Sequence, residues 1–249
     1  MNYGKGSSED SLLVIVPAWN EGAVIGGVLE ELRSTVPHAD VVVVSDGSVD
    51  NTVDAARDKG ADVLELPLNL GVGAAMRTGY LYAERNGYTW AVQLDADGQH
   101  DPADIPRLLD AAKEADADIV IGARFAGAGS YKAKGPRRWA MGLLSAVLSP
   151  VTKAKLTDTT SGFKLTSAKA IRLFSVDYPA EYLGDTVGAL TIAARRRLKI
   201  IQIPVEMRPR AGGEPSHGAL KSTRFLFRAW FALAIALTQR PLSVEGKGE

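Results

Sequence analysis

The first half of the chain alternates between short apolar runs and stretches whose apolar residues recur at helical spacing. Five apolar runs are typical of buried strands: residues 12–16, 41–44, 63–66, 90–94 and 119–121. After the first run, one helix face is predicted by the spacing of Val24, Ile25, Val28, Leu29 and Leu32. Further helices are predicted over residues 71–85 and after Pro102. Strands that alternate with helices predict a parallel sheet with helices on both faces.

The second half of the chain lacks this regular alternation. Loops rich in glycine are predicted over residues 122–135 and 209–218, and one late strand is predicted over residues 200–203. Two further helices are predicted over residues 137–153 and 221–239. The regular α/β pattern is therefore expected to give way to a more irregular region.

The bulk composition suits a globular protein with one large domain. The chain has 249 residues, of which 46% are hydrophobic and 23% are charged. No segment is long enough to serve as a linker between two domains. The sequence predicts a domain over residues 11–220, a disordered N-terminus over residues 1–10, and a C-terminal helix and tail over residues 221–249.

Charge and cysteine content narrow the function classes. Lysine plus arginine equals aspartate plus glutamate at 29 each, so the net charge gives no indication of nucleic-acid binding. The absence of cysteine excludes disulfide scaffolds and thiolate chemistry. The polar N-terminus lacks the apolar core of a signal peptide, and no run is apolar enough to cross a bilayer. We therefore expect a cytoplasmic protein.

Three polar turns directly follow apolar strand patterns. They are P-A-W-N-E at residues 17–21, S-D-G-S-V-D at residues 45–50 and D-A-D-G-Q-H at residues 95–100. Because parallel sheets bind ligands at the C-terminal ends of their strands, the three turns predict one functional site. The alternative is that these residues only make good turns and helix caps.

Asp95 and Asp97 indicate a metal site. Mg²⁺ and Mn²⁺ prefer carboxylate oxygen and keep water or phosphate as their remaining ligands. Two carboxylates after one strand would repel each other without a cation between them and a diphosphate. The cofactor predicted from these residues is Mg²⁺ or Mn²⁺.

The order and spacing of these segments, together with N-L-G-V-G-A-A-M-R-T-G at residues 69–79, resemble the family 2 glycosyltransferases. The resemblance covers residues 12–210 and is closest to the branch that contains dolichyl- and polyprenyl-phosphate sugar synthases. It implies a GT-A fold, with a Rossmann-like, mostly parallel central sheet, helices on both faces and a C-terminal helical extension. It also implies transfer of a hexosyl group from a nucleoside diphosphate sugar, with inversion.

The resemblance also assigns residues to the donor and the metal. It implies that the nucleotide sugar contacts Pro17, Asn20, Glu21, Asp46, Gly71, Arg77, Asp95 and Ala96. Asp97 and Gln99 would hold the metal. Gly71 opens the helix that carries Arg77, where a helix N-terminus would face a diphosphate. A simple packing role for the glycines is the alternative.

Later segments are similar to the acceptor and catalytic motifs of the family. Residues 158–164, D-T-T-S-G-F-K, resemble D-x-x-S-G-F-R with lysine in place of arginine, which loses bidentate geometry. The acceptor residues implied are Arg124, Arg137, Arg138, Asp158, Ser161 and Lys164. The catalytic residues implied are Asp97, Asp185, Arg124 and Arg210. Arg208 and Arg210 follow the last strand, where they could close over the diphosphate.

Two acceptors remain open. A polyprenyl phosphate is already ionised and attacks without a strong base, whereas a hydroxyl of a cell-wall or capsular glycan needs one, which Asp185 would supply. N-capping of a helix is the alternative role of Asp185. A non-catalytic nucleotide-binding regulator is a third alternative, against which the intact D-A-D speaks.

Residues 221–240 combine aromatic and aliphatic residues with Arg224, Arg228 and Arg240. Such a helix can lie in a bilayer interface, which would make the protein peripheral at the inner face of the cell membrane. The alternative is a core helix that closes the domain. A small membrane-protein partner and a homodimer are further expectations for an apolar surface on this segment.

Overall fold

The computed structural model of the chain describes residues 10–123, 156–179 and 184–208, together with the single positions 149, 152 and 154. The side chain of Asp185 is outside this description. The expectations for residues 1–9, for the helix over 137–153 apart from the single positions 149 and 152, and for the C-terminal helix and tail also lie outside the described residues.

Seven strands of the described chain form one sheet. They are β1 (Leu12–Ala18), β2 (Asp40–Asp46), β3 (Asp62–Leu66), β4 (Trp90–Gln93), β5 (Ile119–Ala123), β6 (Lys164–Ser167) and β7 (Ile200–Pro204). Their order across the sheet is β3-β2-β1-β4-β6-β5-β7. All neighbouring pairs are parallel except those of β6, which runs antiparallel to both β4 and β5.

Helices cover both faces of the sheet, as the alternating pattern predicts. They are α1 (Ile25–Thr35), α2 (Thr52–Asp58), α3 (Val72–Arg85), α4 (Ile105–Ala115), α5 (Ala168–Val176) and α6 (Ala189–Arg195). A 3₁₀ turn at Pro102–Asp104 precedes α4, and a π-helical turn at Gly184–Gly188 precedes α6.

Two apolar clusters make up the core, one on each side of the sheet. One packs α1 and α4 against the sheet through residues such as Leu29 and Leu108. The other packs α3, α5 and α6 through residues such as Tyr80, Phe174 and Leu190. Since both faces of the central strands are covered, strands such as β1 are apolar along almost their whole length.

The parallel strands bring the three predicted turns to one edge of the sheet. Ala18 at the end of β1 lies beside Ser45 of β2, and Ile15 of β1 pairs with Gln93 at the end of β4. The turns after β1, β2 and β4 therefore open on the same side of the molecule, called here the C-terminal edge.

Candidate active site

The turns after β1 and β2 are joined by side chains. The backbone N–H of Asn20 donates to Ser48 Oγ at 3.1 Å, and the N–H of Val49 donates to Asn20 Oδ1 at 2.9 Å. Asn20 adopts a left-handed conformation with φ of 54°, which asparagine tolerates better than most residues. Asn20 therefore ties the two turns together beside the predicted nucleoside site.

Asp50 makes a second connection between these turns. Its carboxylate accepts hydrogen bonds from the N–H of Gly22 at 3.0 Å, and from the N–H and hydroxyl of Thr52 at 3.0 and 2.5 Å. The Thr52 hydroxyl in turn accepts from the N–H of Glu21 at 2.8 Å. Partial burial acts to raise the pKa of Asp50, but these hydrogen bonds outweigh it and lower the pKa below its ordinary value.

Asp46 is buried at the end of β2 and holds the loop between β3 and α3. Its two oxygens accept from the N–H of Leu70 at 2.7 Å and of Gly71 at 2.8 Å. At the neighbouring Gly47, with φ of +67°, a β-carbon would lie 2.5 Å from the backbone of this loop. The contact between Asp46 and a base stays a prediction, and it has to use the remaining lone pairs of this carboxylate.

Helix α3 begins directly after this loop. Gly71 is its N-cap with φ of 91°, a conformation that favours glycine. Arg77 lies in the second turn of the helix and is exposed. Further along, a β-carbon at Gly79 would be 2.3 Å from Ile15 Cγ2, so this glycine allows α3 to pack closely on β1. A diphosphate contact at Gly71 stays a prediction.

The turn in which a metal site is predicted, residues 95–101 and called the metal turn below, follows β4. Asp97 Oδ1 accepts from the N–H of Gln99 at 3.0 Å across Gly98, and Asp97 and Ala96 are almost fully buried. Asp95 Oδ1 accepts from Gln93 Nε2 at 3.1 Å, and Asp95 Oδ2 lies 3.7 Å from His100 Nε2. The turn thus presents two carboxylates and one amide side chain within five consecutive residues.

The carboxylate of Asp95 is enclosed by protein on one side, while its side chain is 37% exposed on the other. Burial acts to raise its pKa. The nearby imidazole of His100, the hydrogen bond from Gln93 and the charge of Lys164 together lower the pKa below its ordinary value. Asp95 is therefore ionised at neutral pH and open to a ligand.

The donor set of the metal turn suits Mg²⁺ or Mn²⁺. Within the described residues, no group of three or more acidic, histidine or cysteine side chains lies close enough to form a closed metal cage. Mg²⁺ is commonly held by one or two carboxylates, with water and substrate phosphates as the other ligands. Asp97 and Gln99 therefore fit an ion that a diphosphate completes.

The segment before β6 packs directly against the metal turn. At Gly162, a β-carbon would lie 2.9 Å from Asp95 Oδ2 and 2.9 Å from Gln93 Nε2. The ring of Phe163 stacks on His100, with centroids 5.0 Å apart. The D-A-D-G-Q-H and S-G-F-K segments are therefore in contact.

The predicted acceptor residues of this segment point into the protein. Asp158 is fully buried and accepts from the N–H of Thr160 at 3.2 Å, and the buried Ser161 hydroxyl accepts from the N–H of Phe163 at 3.3 Å. Lys164 is only 2% exposed, with Nζ 3.5 Å from Tyr178 Oη. A direct contact of these side chains with an acceptor stays a prediction.

Gln202 of β7 was not predicted, yet it holds the same segment. Its Oε1 accepts from the N–H of Thr157 at 2.7 Å, and its Nε2 donates to the carbonyl of Asp158 at 2.6 Å. The amide therefore fixes the backbone at the start of the segment that leads into β6. Only the alternation of polar and apolar residues in a late strand could have drawn attention to it.

Arg208, which the sequence suggested could close over a diphosphate, is paired with two carboxylates in this structure. Its guanidinium pairs with Glu31 and with Asp101, each at 2.6 Å, and the hydrogen bond to Glu31 is the main cause of a raised pKa of Arg208. Arg124, Arg137, Arg138 and Arg210 lie outside the described residues. Asp185 lies in the π-helical turn that leads into α6.

Exposed apolar side chains surround this edge, a feature that the sequence reasoning missed. Of the five large apolar side chains that are exposed in the described part of the chain, four follow β1, β2 or β3: Trp19, Val49, Leu68 and Leu70. Trp19 is 55% exposed, next to Asn20. Aromatic faces of this kind stack on nucleobases. The available signal was a large apolar residue inside an otherwise polar turn.

A family profile matches the chain over the part that forms this site. The profile of Glycosyl transferase family 2 matches residues 13–174. The chain belongs to glycosyltransferase family 2. The undecaprenyl-phosphate mannosyltransferase of Micrococcus luteus is 33% identical over 213 residues, which cover 82% of this chain and 86% of that protein. The polyprenol monophosphomannose synthase of Mycolicibacterium smegmatis is 36% identical over 126 residues, 48% of this chain and 47% of that protein.

This family 2 glycosyltransferase also shares its fold with solved structures. Glucosyl-3-phosphoglycerate synthase from Mycobacterium tuberculosis, in complex with Mn²⁺, UDP and glucosyl-3-phosphoglycerate, matches with a TM-score of 0.67 at 19% identity, over 92% of this chain and 80% of that one. The GT-A fold, the enzyme class and the resemblance to lipid-phosphate sugar transferases are confirmed. In the described part of the chain, no helix has the length and apolar composition needed to cross a bilayer.

Proposed function

We propose that this glycosyltransferase transfers a hexosyl group from a nucleoside diphosphate sugar to a polyprenyl phosphate, with inversion at the anomeric carbon and with Mg²⁺ or Mn²⁺ as cofactor. One observation carries the proposal. The D-A-D turn touches the S-G-F-K segment, since a β-carbon at Gly162 would lie 2.9 Å from Asp95 Oδ2. The candidate donor and acceptor motifs therefore meet at the C-terminal edge.

The donor would lie across the three turns. Pro17, Asn20, Glu21 and Asp46 border the nucleoside, with the exposed ring of Trp19 available for stacking. The N-terminus of α3 at Gly71 favours the diphosphate, since helix N-termini bind anions. The carboxylate of Asp95 would accept hydrogen bonds from hydroxyls of the ribose or the sugar, and the backbone N–H of Ala96 would donate one to them. The Mn²⁺ and UDP bound to glucosyl-3-phosphoglycerate synthase support this type of donor.

Asp97 and Gln99 would hold the divalent ion. When bound, it neutralises the charge that builds on the leaving diphosphate. The hydrogen bond from the N–H of Gln99 to Asp97 Oδ1 orients the carboxylate before the ion arrives. The turn is therefore organised in advance, which favours electrostatic stabilisation of the transition state.

The acceptor is proposed by analogy with two relatives, an undecaprenyl-phosphate mannosyltransferase and a polyprenol monophosphomannose synthase. An acceptor phosphate oxygen attacks the anomeric carbon while the bond to the nucleoside diphosphate breaks, and the diphosphate leaves with the electron pair. No proton has to be removed, so positive charge matters more than a base. The candidates for that charge are Arg124, Arg137, Arg138 and Arg210.

A second candidate acceptor is a hydroxyl of a cell-wall or capsular glycan. The π-helical turn at Gly184–Gly188 favours it, because π-helical turns are frequent at functional sites and this one contains Asp185. Asp185 would then remove the hydroxyl proton as the carbon–oxygen bond forms. With a phosphate acceptor, Asp185 has no proton to remove.

A lipid acceptor implies that the enzyme binds its substrate at a membrane surface. We propose a cytoplasmic enzyme that associates peripherally with the inner face of the cell membrane. The C-terminal helix and tail, residues 221–249, are the proposed contact, beyond a catalytic domain over residues 11–220. The other proposed contacts of that segment are a small membrane-protein partner and a second copy of the chain in a homodimer.

The test is a transfer assay over UDP-, GDP- and dTDP-sugars, with undecaprenyl phosphate or a soluble glycan as acceptor, in Mn²⁺ and in chelator. We expect metal-dependent transfer to the lipid phosphate. The variant Asp185→Asn should retain that activity. Transfer to glycan alone, abolished by Asp185→Asn, would establish the second candidate instead.

A further inference from the structure

Arg208 follows β7 and contacts two other parts of the chain, α1 and the end of the metal turn. Its Nη1 donates to Glu31 Oε1 of α1 at 2.6 Å, and its Nη2 lies 2.6 Å from Asp101 Oδ2. Its backbone N–H donates to the carbonyl of Gln99 at 2.9 Å. One residue therefore joins α1, the chain after β7 and the end of the metal turn.

The neighbouring contacts strengthen this junction. His100 and Met207 form an isolated antiparallel bridge, and Asp101 Oδ1 accepts from the N–H of Ala103 at 2.9 Å. The metal turn is thus held by β4 at one end and by Arg208, through Asp101 and the carbonyl of Gln99, at the other. Asp97 lies between these two fixed ends, and Gln99 is itself held through its carbonyl.

We propose that Arg208 is a positioning residue, which fixes the metal turn in the conformation that allows Asp97 and Gln99 to hold the divalent ion. The inference rests on the proposed metal-dependent function. Arg208 touches neither metal nor donor in this role, because its guanidinium is occupied by two carboxylates.

Exposure separates this role from a purely stabilising one. The side chains of Arg208 and Glu31 are about 40% exposed, and such ion pairs contribute little to stability because water screens them. Groups that hydrogen-bond a metal ligand, in contrast, typically change metal affinity about 10- to 100-fold when they are removed, and the Arg208 side chain, which acts through Asp101, belongs at or below the lower end of that range. Loss of Arg208 should therefore change metal binding far more than the melting temperature.

Lysine is a poor substitute at this position. The guanidinium is a planar fork that reaches two carboxylates on different elements, whereas an ammonium is a compact charge at the end of a flexible stem. We expect Arg208→Lys to keep one of the two ion pairs and to fall between the wild type and Arg208→Gln.

The test compares wild type, Arg208→Gln and Arg208→Lys. A matched control is Arg57→Gln, which breaks an exposed pair with Glu65 on α2 and β3. UDP and GDP binding is titrated by calorimetry at increasing Mn²⁺, and hydrogen exchange of the amides of residues 96–101 is followed without metal. For Arg208→Gln, which keeps the backbone bond to Gln99 and loses only the side-chain contacts, we expect up to about a 10-fold higher Mn²⁺ requirement and faster exchange, with metal-free nucleotide affinity unchanged. Arg57→Gln should match the wild type.

An Arg208→Gln protein with the wild-type Mn²⁺ requirement overturns the inference, while the proposed function stands. A wild type whose nucleotide binding ignores Mn²⁺ overturns both. If Arg208→Gln does not fold, the Mn²⁺ requirement is measured instead for Asp101→Asn, for Arg208→Lys and for the double variant. If the two changes in Mn²⁺ requirement are not additive, the residues act together as proposed. Additive changes would contradict the inference.

Discussion

Asp46, Asp50 and Asp97 all accept hydrogen bonds from backbone N–H groups, either of their own turn or of a neighbouring one. These acids therefore do build the turns, as the alternative interpretation of the sequence proposed. A carboxylate that accepts one or two backbone hydrogen bonds still has lone pairs for a metal or a hydroxyl. At this site, the residues that shape the turns are also the candidates for ligand contact.

Asp97→Asn separates these two roles. The amide oxygen can still accept the N–H of Gln99, so the turn and the fold should persist, but the negative charge for a cation is lost. We expect transfer to fall to near background, with circular dichroism and melting temperature close to the wild type. Substantial turnover by Asp97→Asn, or wild-type turnover in chelator, would contradict the metal assignment.

Asp50→Asn should weaken the junction between the first two turns in a pH-dependent way. The folded pKa of Asp50 is depressed by the hydrogen bonds from Thr52 and Gly22, which outweigh burial. The carboxylate therefore stabilises the fold fully above its unfolded pKa of about 3.9, and this contribution is lost as pH falls through the lower folded pKa. Melting curves of both proteins should differ at pH 7 and converge in acid. A difference that persists at the lowest pH would argue against this origin.

Among the elements, the strands and helices of the first half follow the periodicity closely. β1 and β2 were predictable because strands buried on both faces are apolar along their length. β6 was not, since Lys164, Thr166 and Ser167 give it no apolar run. β6 forms a strand because it pairs with β4 and β5, which lie far away in the sequence. Local periodicity cannot predict such pairing.

The site follows the same division. The turns at Pro17, Asp46 and Asp95 were predicted, because strand ends of a parallel sheet converge. Gln202 and Arg208 were not assigned their roles, because each acts on a segment that only the fold brings near. Motif resemblance supplied the inward-facing residues Asp158 and Lys164, but it carried no information on their burial.

The contact between β4 and the segment before β6 can be tested at Gly162. In Gly162→Ala, the β-carbon would press on Asp95 Oδ2 and Gln93 Nε2 at 2.9 Å, so the carboxylate has to move. We expect a loss of transfer and of donor binding that exceeds the loss of stability. Gly27→Ala is the control, since no atom lies within 4 Å of its added methyl group on α1, and it should stabilise by about 1 kcal/mol. Equal activity of the two variants would refute the contact.

For the whole molecule, charge is balanced overall but unevenly distributed. Lysine and arginine equal the acids in number, yet Arg224, Arg228 and Arg240 share the C-terminal stretch with aromatic residues. A peripheral enzyme can combine a near-neutral catalytic domain with one basic, amphipathic contact region.

Membrane association is predicted to depend on anionic lipid and on salt. We expect the full chain to float with vesicles that contain phosphatidylglycerol at low salt, and less at 0.5 M salt, because screening weakens the arginine contacts. A chain shortened to residues 1–220 should remain at the bottom of the gradient. Flotation of the shortened chain would assign the contact to the catalytic domain, and failure of both to float would oppose the peripheral proposal.

The antiparallel strand β6 also has a consequence for how the chain folds. β1 to β4 pair only with one another and with β6, and they come from one continuous stretch of sequence. Within the sheet, β5 and β7 join that group solely through β6, which lies far from β4 and β5 in the sequence. Since contacts between residues far apart in sequence form slowly, the first four strands can assemble early as one cooperative unit, and β5, β6 and β7 can dock afterwards. The last hydrogen bonds to form would then be those that bring the S-G-F-K segment against Asp95, so the two halves of the candidate site come together at the end of folding.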